Sequence, residues 1–353
     1  MLTKIDAKLA VYKRAVRREG RFWRGQNDDP VRTTQLPRLC IKYRQRRETG
    51  TEDDRYAALA KLGPFEDGLS IGCGSANTER ELLKRGIVKR FTFIDISEES
   101  LQMLERALPK AHRGRVTLLR QDLNFIKLQP NTYDFIFCSA VLHHLINLEH
   151  VLLELNASLT PGGVLFVDEF IGENRFQSSD ERIALLNAVG AIAQKKTGIK
   201  FTPVRRTSRR WLINLCPFEA VRSEDVLPLL RQIFKNQTLR EETYGAVAEK
   251  TVDLIDLKVP QHDEAVAIII AFDELIQKHD LLQPQWLVGI YRKNPAPPKL
   301  RVKRWSSSEV RHHLPVQVLD ERFSVYLAGV LRRTIGQGAL YQSIRALYFA
   351  LRH

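Results

Sequence analysis

The chain has 353 residues, 44% of them hydrophobic and 27% charged, which is the composition of a folded protein with one large domain or two modest ones. A net charge of +14 favours anionic partners such as nucleic acid, acidic lipid headgroups or a phosphate-bearing substrate, unless the basic runs simply face water. No apolar run reaches the ~18 residues of a membrane span, and the charged N-terminus is unlike a secretory signal, so we expect a cytoplasmic protein.

Strands and helices alternate through the middle of the chain. The predicted strands cover residues 68–72, 90–95, 115–119, 133–139 and 164–168, with helices at 77–85, 98–108 and 146–159. This alternation predicts an α/β fold with a mostly parallel sheet and helices on both faces. Ligands of such folds bind at the carboxyl ends of the strands.

The alternation of strands and helices stops after the fifth predicted strand. Residues 170–235 carry mostly helical patterns and are too many for a structureless loop, so we predict a helical insertion that forms a lid over the site. A helical pattern at 246–281 lies between two further predicted strands, 238–244 and 285–292.

The predicted organisation has three parts. Residues 1–62 form a basic helical segment, 63–293 the α/β domain, and 294–353 a proline linker with a basic amphipathic helical tail. The tail suits either peripheral contact with an anionic membrane or packing on the protein itself.

The four cysteines are scattered. Cys40, Cys73, Cys138 and Cys216 lack CxxC spacing, so they indicate free thiols in a reducing compartment, and no metal site is predicted.

A glycine turn joins the first strand to a helix. Gly72, Cys73 and Gly74 let the backbone approach a ligand at a helix N-terminus, which favours an anion. A dinucleotide site favours a third glycine where this chain has Asn77, so the turn better suits a smaller anion such as a carboxylate.

Two aspartates follow the next two strands. Asp95 lies 21 residues after Gly74, where a carboxylate can bind both hydroxyls of a ribose. Asp122 is placed to accept a hydrogen bond from an adenine amino group. Each has a structural alternative as a helix cap, although Ser97 suits that role better than Asp95.

These motifs together resemble a known family. LSIGCGSANTE, FIDIS, RQDLN, YDFIFCSAVLHHL and LTPGGVLFVDE are similar, in order and spacing, to class I S-adenosylmethionine-dependent methyltransferases. Residues 167–177 (VDEFIGENRFQ) and 217–230 (PFEAVRSEDVLPLL) resemble a bacterial subgroup often encoded near polysaccharide or natural-product genes. The resemblance covers roughly residues 20–293.

The resemblance implies a Rossmann-like methyltransferase fold with a seven-stranded sheet and S-adenosyl-L-methionine as cofactor. The implied cofactor-binding residues are Gly72, Cys73, Gly74, Asn77, Asp95, Ile96, Asp122, Leu123 and Ser139. One departure is Ser70, where many members carry an acidic residue that could here be replaced by Glu79.

Methyl transfer to an oxygen requires alignment of the acceptor and removal of its proton. The candidate bases are His143, after the fourth strand, and Glu169, at the end of the fifth. A packing role is the alternative for His143, and we expect one of His143 and His144 to face the cleft and the other the core.

Four polar residues of the second half are candidate acceptor contacts. They are Arg175, Glu219, Arg222 and Tyr244, although Arg222 could instead pair with a nearby helix acid.

Three functions fit these observations. The leading hypothesis is methyl transfer to an oxygen, or less favourably a nitrogen, of a small polar acceptor such as a sugar, glycolipid or secondary metabolite, because a lid encloses small acceptors. RNA methylation fits the charge, but no aromatic-interleaved RNA-binding module is recognisable. A non-catalytic scaffold with the same fold is the third.

Overall fold

A computed structural model describes residues 10–26, 38–51, 53–248, 252, 255 and 262–300. The predicted tail helix therefore lies outside the described residues. The described strands are β1 (Phe65–Ile71), β2 (Val88–Asp95), β3 (Val116–Arg120), β4 (Tyr133–Ser139), β5 (Leu159–Phe170), β6 (Thr238–Tyr244) and β7 (Trp286–Arg292).

The α-helices of the described residues lie before, between and after these strands. They are α1 (Ala10–Gln26), α2 (Arg38–Thr49), α3 (Arg55–Ala60), α4 (Asn77–Lys84), α5 (Glu98–Ala107), α6 (Lys110–Arg113), α7 (Leu148–Ser158), α8 (Asp180–Thr197), α9 (Arg209–Leu215), α10 (Ser223–Ile233) and α11 (His262–Lys278). None of these helices combines the length and apolar character that a membrane span requires.

All seven strands belong to one sheet, in the order β3-β2-β1-β4-β5-β7-β6. Strands β1 to β5 run parallel, and β7 is antiparallel to both of its neighbours. The predicted α/β fold with a mostly parallel sheet of seven strands is confirmed. The strand order reverses between β1 and β4, and such a switch point opens a crevice at the carboxyl ends of the strands.

The sheet is buried on both faces. Along β4, Phe135 and Phe137 pack on one face while Ile136 and Cys138 pack on the other. Burying an aromatic or branched aliphatic side chain contributes about 1.5–3 kcal/mol, so both layers of helices are held firmly to the sheet. The strand ends are therefore a rigid platform for the loops that follow them.

Strand β5 begins earlier than the sequence predicts. Tyr133 pairs with Leu159 and Phe135 with Val164, so the intervening residues 160–163 form a bulge within the strand. The predicted bounds of β4 and β6 agree with the structure.

The N-terminal helices pack on the α/β domain. Cys40 and Tyr43 of α2 and Leu59 of α3 share the core cluster that contains the phenylalanines of the sheet. The Tyr43 hydroxyl also donates a hydrogen bond to Asp273 of α11. The segment before β1 is thus part of the domain core.

The insertion is helical, but most of it packs away from the strand ends. Leu186 and Val189 of α8 lie in one cluster with Val266 and Ile269 of α11. Phe218, between α9 and α10, is the part of the insertion that reaches the cavity at the strand ends. The predicted lid therefore contributes little to the cavity wall, because one residue of the insertion lines the cavity.

Candidate active site

A cavity of about 310 Å³ lies at the carboxyl ends of β1, β2 and β4, within the size range of small-molecule sites. One wall, here called the strand-end wall, is formed by the turns after the strands. It comprises Gly72, Cys73, Gly74, Ser75, Asp95, Ile96, Asp122, Leu123, Asn124, Ser139, Ala140 and Val141. A second wall, the histidine wall, comprises Glu19, Trp23, His144, Leu145 and Phe218. Ser100 of α5 also lines the cavity.

The glycine turn forms the floor of the strand-end wall. Gly72 has φ +60°, and a Cβ on it would lie 2.3 Å from Cγ2 of Val141. Only glycine fits this position, because a side chain would be strained and would collide with the neighbouring loop. The turn therefore borders the cavity with bare backbone at this position.

Asp95 fastens the glycine turn to the end of β2. One carboxylate oxygen accepts from Gly74 N at 3.1 Å and the other from Ser97 N at 2.8 Å. Burial raises the pKa of Asp95 despite these hydrogen bonds. Ser97 caps α5, since its hydroxyl accepts from Ser100 N at 3.2 Å, so the cap role belongs to Ser97 and the Asp95 carboxylate lines the cavity.

Asp122 forms the helix cap that was the alternative for it, and it also lines the cavity. Oδ1 accepts from Asn124 N at 3.0 Å and thereby caps the 3₁₀ turn Leu123–Phe125. Oδ2 accepts from the hydroxyl of Tyr12 on α1 at 2.7 Å. Burial raises the pKa of this carboxyl. Asp122 therefore lines the cavity and also anchors α1 beside it.

Ser70 and Glu79 form a buried pair behind the glycine turn. The Ser70 hydroxyl donates to Oε1 of Glu79 at 2.6 Å, and burial raises the pKa of Glu79 to about 7. Glu79 does not line the cavity, so its carboxyl stands one layer behind the bare backbone of the turn.

Asn77 is the one predicted cofactor residue outside the cavity lining. It is exposed at the start of α4, and its Oδ1 accepts from Arg80 at 3.3 Å. The other eight predicted cofactor residues lie in the strand-end wall. Ala76, with φ +48°, is the last residue before α4. Asn77 is the first residue of that helix and lies away from the cavity.

The histidine wall depends on Glu19 of α1. Its carboxylate accepts from Trp23 Nε1 at 2.9 Å, from Phe218 N at 3.1 Å and from the Cys216 thiol at 3.1 Å. His144 Nδ1 lies 3.0 Å from the same carboxylate. Burial raises the pKa of Glu19, but the hydrogen bonds outweigh it and leave the pKa below its ordinary value. Glu19 of α1 is therefore an anion that contacts both the loop after β4 and the loop between α9 and α10.

His143 is placed in the core, and the expectation that it is the cavity base is wrong. It is 5% exposed and does not line the cavity, whereas His144 does. Its Nδ1 is hydrogen-bonded to Glu169, and its Nε2 lies 3.2 Å from Oε1 of Glu219. Burial lowers the pKa of His143, but the two carboxylates outweigh it and raise that pKa to about 10. Both ring nitrogens therefore lie beside carboxylates of the core, away from the cavity.

Glu169 is also unsuited to the predicted role of base. It is fully buried, and its oxygens accept from the backbone N–H groups of Val141, Leu142 and Phe170 as well as from His143. These contacts stabilise the loop after β4, which carries both histidines. Glu169 therefore shapes the site from behind.

Glu219 is the predicted acceptor contact that lies nearest to the cavity. Its Oε1 is within 3.2 Å of His143 Nε2 and 3.8 Å of His144 Nε2. Burial raises the pKa of Glu219, but the two histidines outweigh it and lower that pKa to about 2. The carboxylate is thus held ionised immediately behind the histidine wall.

The other three predicted acceptor contacts are buried outside the cavity lining. Arg175 donates to the carbonyls of Pro217 and Glu219, so it holds the loop that carries Phe218. Tyr244 packs in the core with its ring 6.0 Å from that of Tyr43.

Arg222 forms the ion pair that was the alternative for it. It donates to both carboxylate oxygens of Glu149 at 2.7 Å and to Asp225 at 2.7 Å. Its third partner, the carbonyl of Ile146, belongs to the segment that follows His144.

Sequence reasoning missed the contribution of α1. Tyr12, Glu19 and Trp23 are contributed to the site by a helix that was predicted only as a basic segment. The available signal is an acidic residue on the same helix face as buried Tyr12 and Ala15, in a helix otherwise rich in arginine. A buried carboxylate in such a helix requires partners from elsewhere in the fold.

Comparison with known proteins agrees with this geometry. Residues 69–167 match the family model described as "Methyltransferase domain". The matched range contains the whole strand-end wall.

Two curated relatives share part of this region. Arginine-hydroxylase NDUFAF5, mitochondrial, from Mus musculus is 27% identical over 171 residues, which is 48% of this chain and 45% of that protein. A malonyl-[acyl-carrier protein] O-methyltransferase from Chlorobium luteolum is 27% identical over 110 residues, 31% of this chain and 42% of that protein. The chain spans less than half the length of each of these relatives.

Among solved structures, the N-methyltransferase NodS from Bradyrhizobium japonicum in complex with S-adenosyl-L-homocysteine superposes with a TM-score of 0.40 and 16% identity. The match covers 80% of this chain and 98% of NodS.

Proposed function

We propose that the chain is an S-adenosylmethionine-dependent methyltransferase that acts on an oxygen of a small polar acceptor, such as a sugar, glycolipid or secondary metabolite. The observation that carries the proposal is the strand-end wall, in which a bare glycine turn, the buried Asp95 and the half-buried Asp122 border one cavity. S-adenosylmethionine supplies an electrophilic methyl group on a sulfonium. All further chemistry depends on side chains of this chain.

The strand-end wall supplies binding. The backbone of Gly72 and Gly74 would hold the methionine moiety, the free acceptor positions of Asp95 would take the ribose hydroxyls, and Asp122 with Leu123 would border the adenine. The fit is supported by Gly72, because a Cβ there would fill the space beside Val141.

The histidine wall would receive the acceptor. Trp23 and Phe218 offer apolar surfaces on which a ring can pack, and they reduce the access of water. The Glu19–His144 pair is the polar group of this wall, and it would orient an acceptor hydroxyl and take its proton. This assignment replaces His143 and Glu169, whose polar atoms are occupied in the core.

The acceptor class is supported by the resemblance of residues 167–177 and 217–230 to the bacterial subgroup described above. A second candidate reaction is hydroxylation of an arginine side chain, which the name of the mouse relative favours. Methyl transfer adds 14 mass units to the acceptor and hydroxylation adds 16, so one mass spectrum separates the two reactions.

The test is calorimetric titration of the full chain with S-adenosylmethionine and S-adenosylhomocysteine. We expect micromolar binding, which Asp95→Ala abolishes. Asp134→Ala is the matched control, because Asp134 also accepts from two backbone N–H groups, those of Glu66 and Asp67, but at the amino end of β1. Absence of binding by the unmodified chain would refute the proposal and favour the scaffold hypothesis.

Acceptor screening follows once binding is established. Labelled S-adenosylmethionine is incubated with the chain and with glycans, glycolipids, arginine-containing peptides or RNA. Label in the glycan or glycolipid fraction supports the proposal. Label confined to RNA contradicts the acceptor class while leaving the cofactor assignment intact.

A further inference from the structure

Two histidine–carboxylate pairs converge on a single carboxylate oxygen at the histidine wall. His143 has its Nδ1 hydrogen-bonded to Glu169, and His144 has its Nδ1 3.0 Å from Glu19. The opposite nitrogens of both rings point to Oε1 of Glu219, at 3.2 and 3.8 Å. In each ring one nitrogen therefore lies beside a buried carboxylate while the other faces a shared point.

This is the arrangement that metal-binding histidines adopt. A ligating imidazole almost always gives its second nitrogen to a carboxylate or carbonyl, which fixes the ring orientation and makes the other nitrogen a better donor. Glu169 holds that position here for His143, and the carboxylate of Glu19 lies 3.0 Å from Nδ1 of His144. Two imidazoles with one carboxylate form the ligand set typical of divalent first-row transition metals.

The distances suit an ion of that kind. Metal–nitrogen and metal–oxygen bonds of about 2.0–2.2 Å put neighbouring ligand atoms about 3–3.5 Å apart. The ligand atoms of His143, His144 and Glu219 all lie within 4.8 Å of one another. An ion at their centre requires only a small inward movement of His144, whose side chain is 12% exposed beside the cavity.

A second grouping of ligand types, Glu19 with His144 and Cys216, is less suited to an ion. The Glu19 carboxylate already accepts from Trp23 Nε1 and Phe218 N, and the Cys216 thiol donates to it. Glu19 is thus fully engaged as a hydrogen-bond acceptor, and its role is to orient His144.

The cluster leaves a route for an ion. Nε2 of His143 lies 3.2 Å from Oε1 of Glu219, and an ion bound there would displace the proton between these two atoms, as metal binding to an imidazole requires. His144 lines the cavity, so the ion would enter past its side chain.

We propose that Nε2 of His143, Nε2 of His144 and a carboxylate oxygen of Glu219 bind one divalent first-row transition-metal ion at the histidine wall. Of these three residues only His144 lines the cavity, so an oxygen of the acceptor would approach the ion from the side of His144.

The experiment is titration of the chelator-treated full chain with Co²⁺, followed by visible absorption, together with metal analysis of the chain as purified. We expect one Co²⁺ per chain with micromolar or tighter affinity. His144→Ala and Glu219→Gln should each weaken binding at least 10-fold. Glu169→Gln should weaken it about 10- to 100-fold, because it disturbs the orientation of His143.

The control is His279→Ala, which removes an exposed histidine at the end of α11 and should leave Co²⁺ affinity unchanged. Circular dichroism verifies that each variant is folded. Fewer than 0.1 Co²⁺ bound per unmodified chain, or equal affinity in the His144→Ala variant, would overturn the proposal in favour of a proton-bridged network. Titration with S-adenosylmethionine is a separate measurement, so failure here leaves the proposed function untouched.

Discussion

The two walls of the cavity are built in different ways. The strand-end wall comes from turns that directly follow β1, β2, β3 and β4, and its key contact joins Gly74 and Asp95 across 21 positions. The histidine wall joins α1, the loop after β4 and the insertion, and its key contact joins Glu19 and Phe218 across 199 positions. Residues in the turns after successive strands can be located from sequence motifs. Residues that are brought together by the packing of helices can be located only in the tertiary structure.

The largest expected effect tests whether Arg222 supports the fold rather than the acceptor. Arg222→Ala leaves Glu149 buried without its ion-pair partner, and breaking such a pair costs about 3–5 kcal/mol of unfolding free energy. Arg231→Ala on the same helix should cost less than about 1 kcal/mol, because its pair with Glu241 is exposed on the arginine side. Urea denaturation measures both, and equal costs would contradict the assignment.

The next largest expected effect tests the role of the glycine turn in the strand-end wall. Gly72→Ala should weaken binding of S-adenosylmethionine at least 100-fold, about 2.7 kcal/mol, because the new Cβ collides with Val141. Gly86→Ala is the matched control, since Gly86 also has positive φ, +69°, but has open space around its Cβ position. It should cost about 1 kcal/mol of stability and leave binding unchanged by calorimetry. A similar loss of affinity in both variants would show that backbone strain, not the collision, matters.

A smaller expected effect concerns the stability contributed by Glu79, whose carboxyl group lies behind the glycine turn. Burial raises the pKa of Glu79 to about 7, above its ordinary 4.5, so its contribution to stability is full below pH 4.5 and is lost as pH rises through 7. Glu79→Gln should remove this loss and make the protein about 1–3 kcal/mol more stable than the unmodified chain at pH 8.

Urea denaturation between pH 4.5 and 8 measures the effect of Glu79→Gln. Glu81→Gln on the same helix is the control, because Glu81 pairs with Arg85 at the surface. It should leave the shape of the pH profile unchanged. A Glu79→Gln profile parallel to that of the unmodified chain would show that Glu79 titrates normally.

The smallest expected effect concerns Asp122 of the strand-end wall, which is hydrogen-bonded to helix α1. Tyr12 of α1 donates to Asp122, the residue proposed to border the adenine. If the adenine amino group displaces that hydroxyl, Tyr12→Phe should tighten binding up to about 5-fold, since one hydrogen bond contributes about 1 kcal/mol. Tyr43→Phe, which loses a similar bond to Asp273 far from the cavity, should leave calorimetric affinity unchanged. Weaker binding in Tyr12→Phe would mean that the bond persists in the complex.

The corrections to the sequence predictions have one cause. His143 and His144 are adjacent in sequence and equally plausible as bases, and only packing against Glu169 places the first in the core. Arg175 and Arg222 are polar residues in a predicted lid, but Arg175 donates to backbone carbonyls of the insertion and Arg222 pairs with Glu149 of α7. Side-chain type and spacing indicate what a residue can do, while its partners decide what it does.

The sequence by itself determined the α/β fold, the places of its first five strands along the chain and the positions of Gly72, Asp95 and Asp122 at the strand ends. These follow from local periodicity and from turns that strand geometry brings to one edge of the sheet. Only the tertiary structure decided that α1 closes the cavity and that Glu19 and Glu219 flank His144. Contacts across about 200 positions arise from the burial of apolar helix faces, which is non-directional and leaves no local signature of its partner.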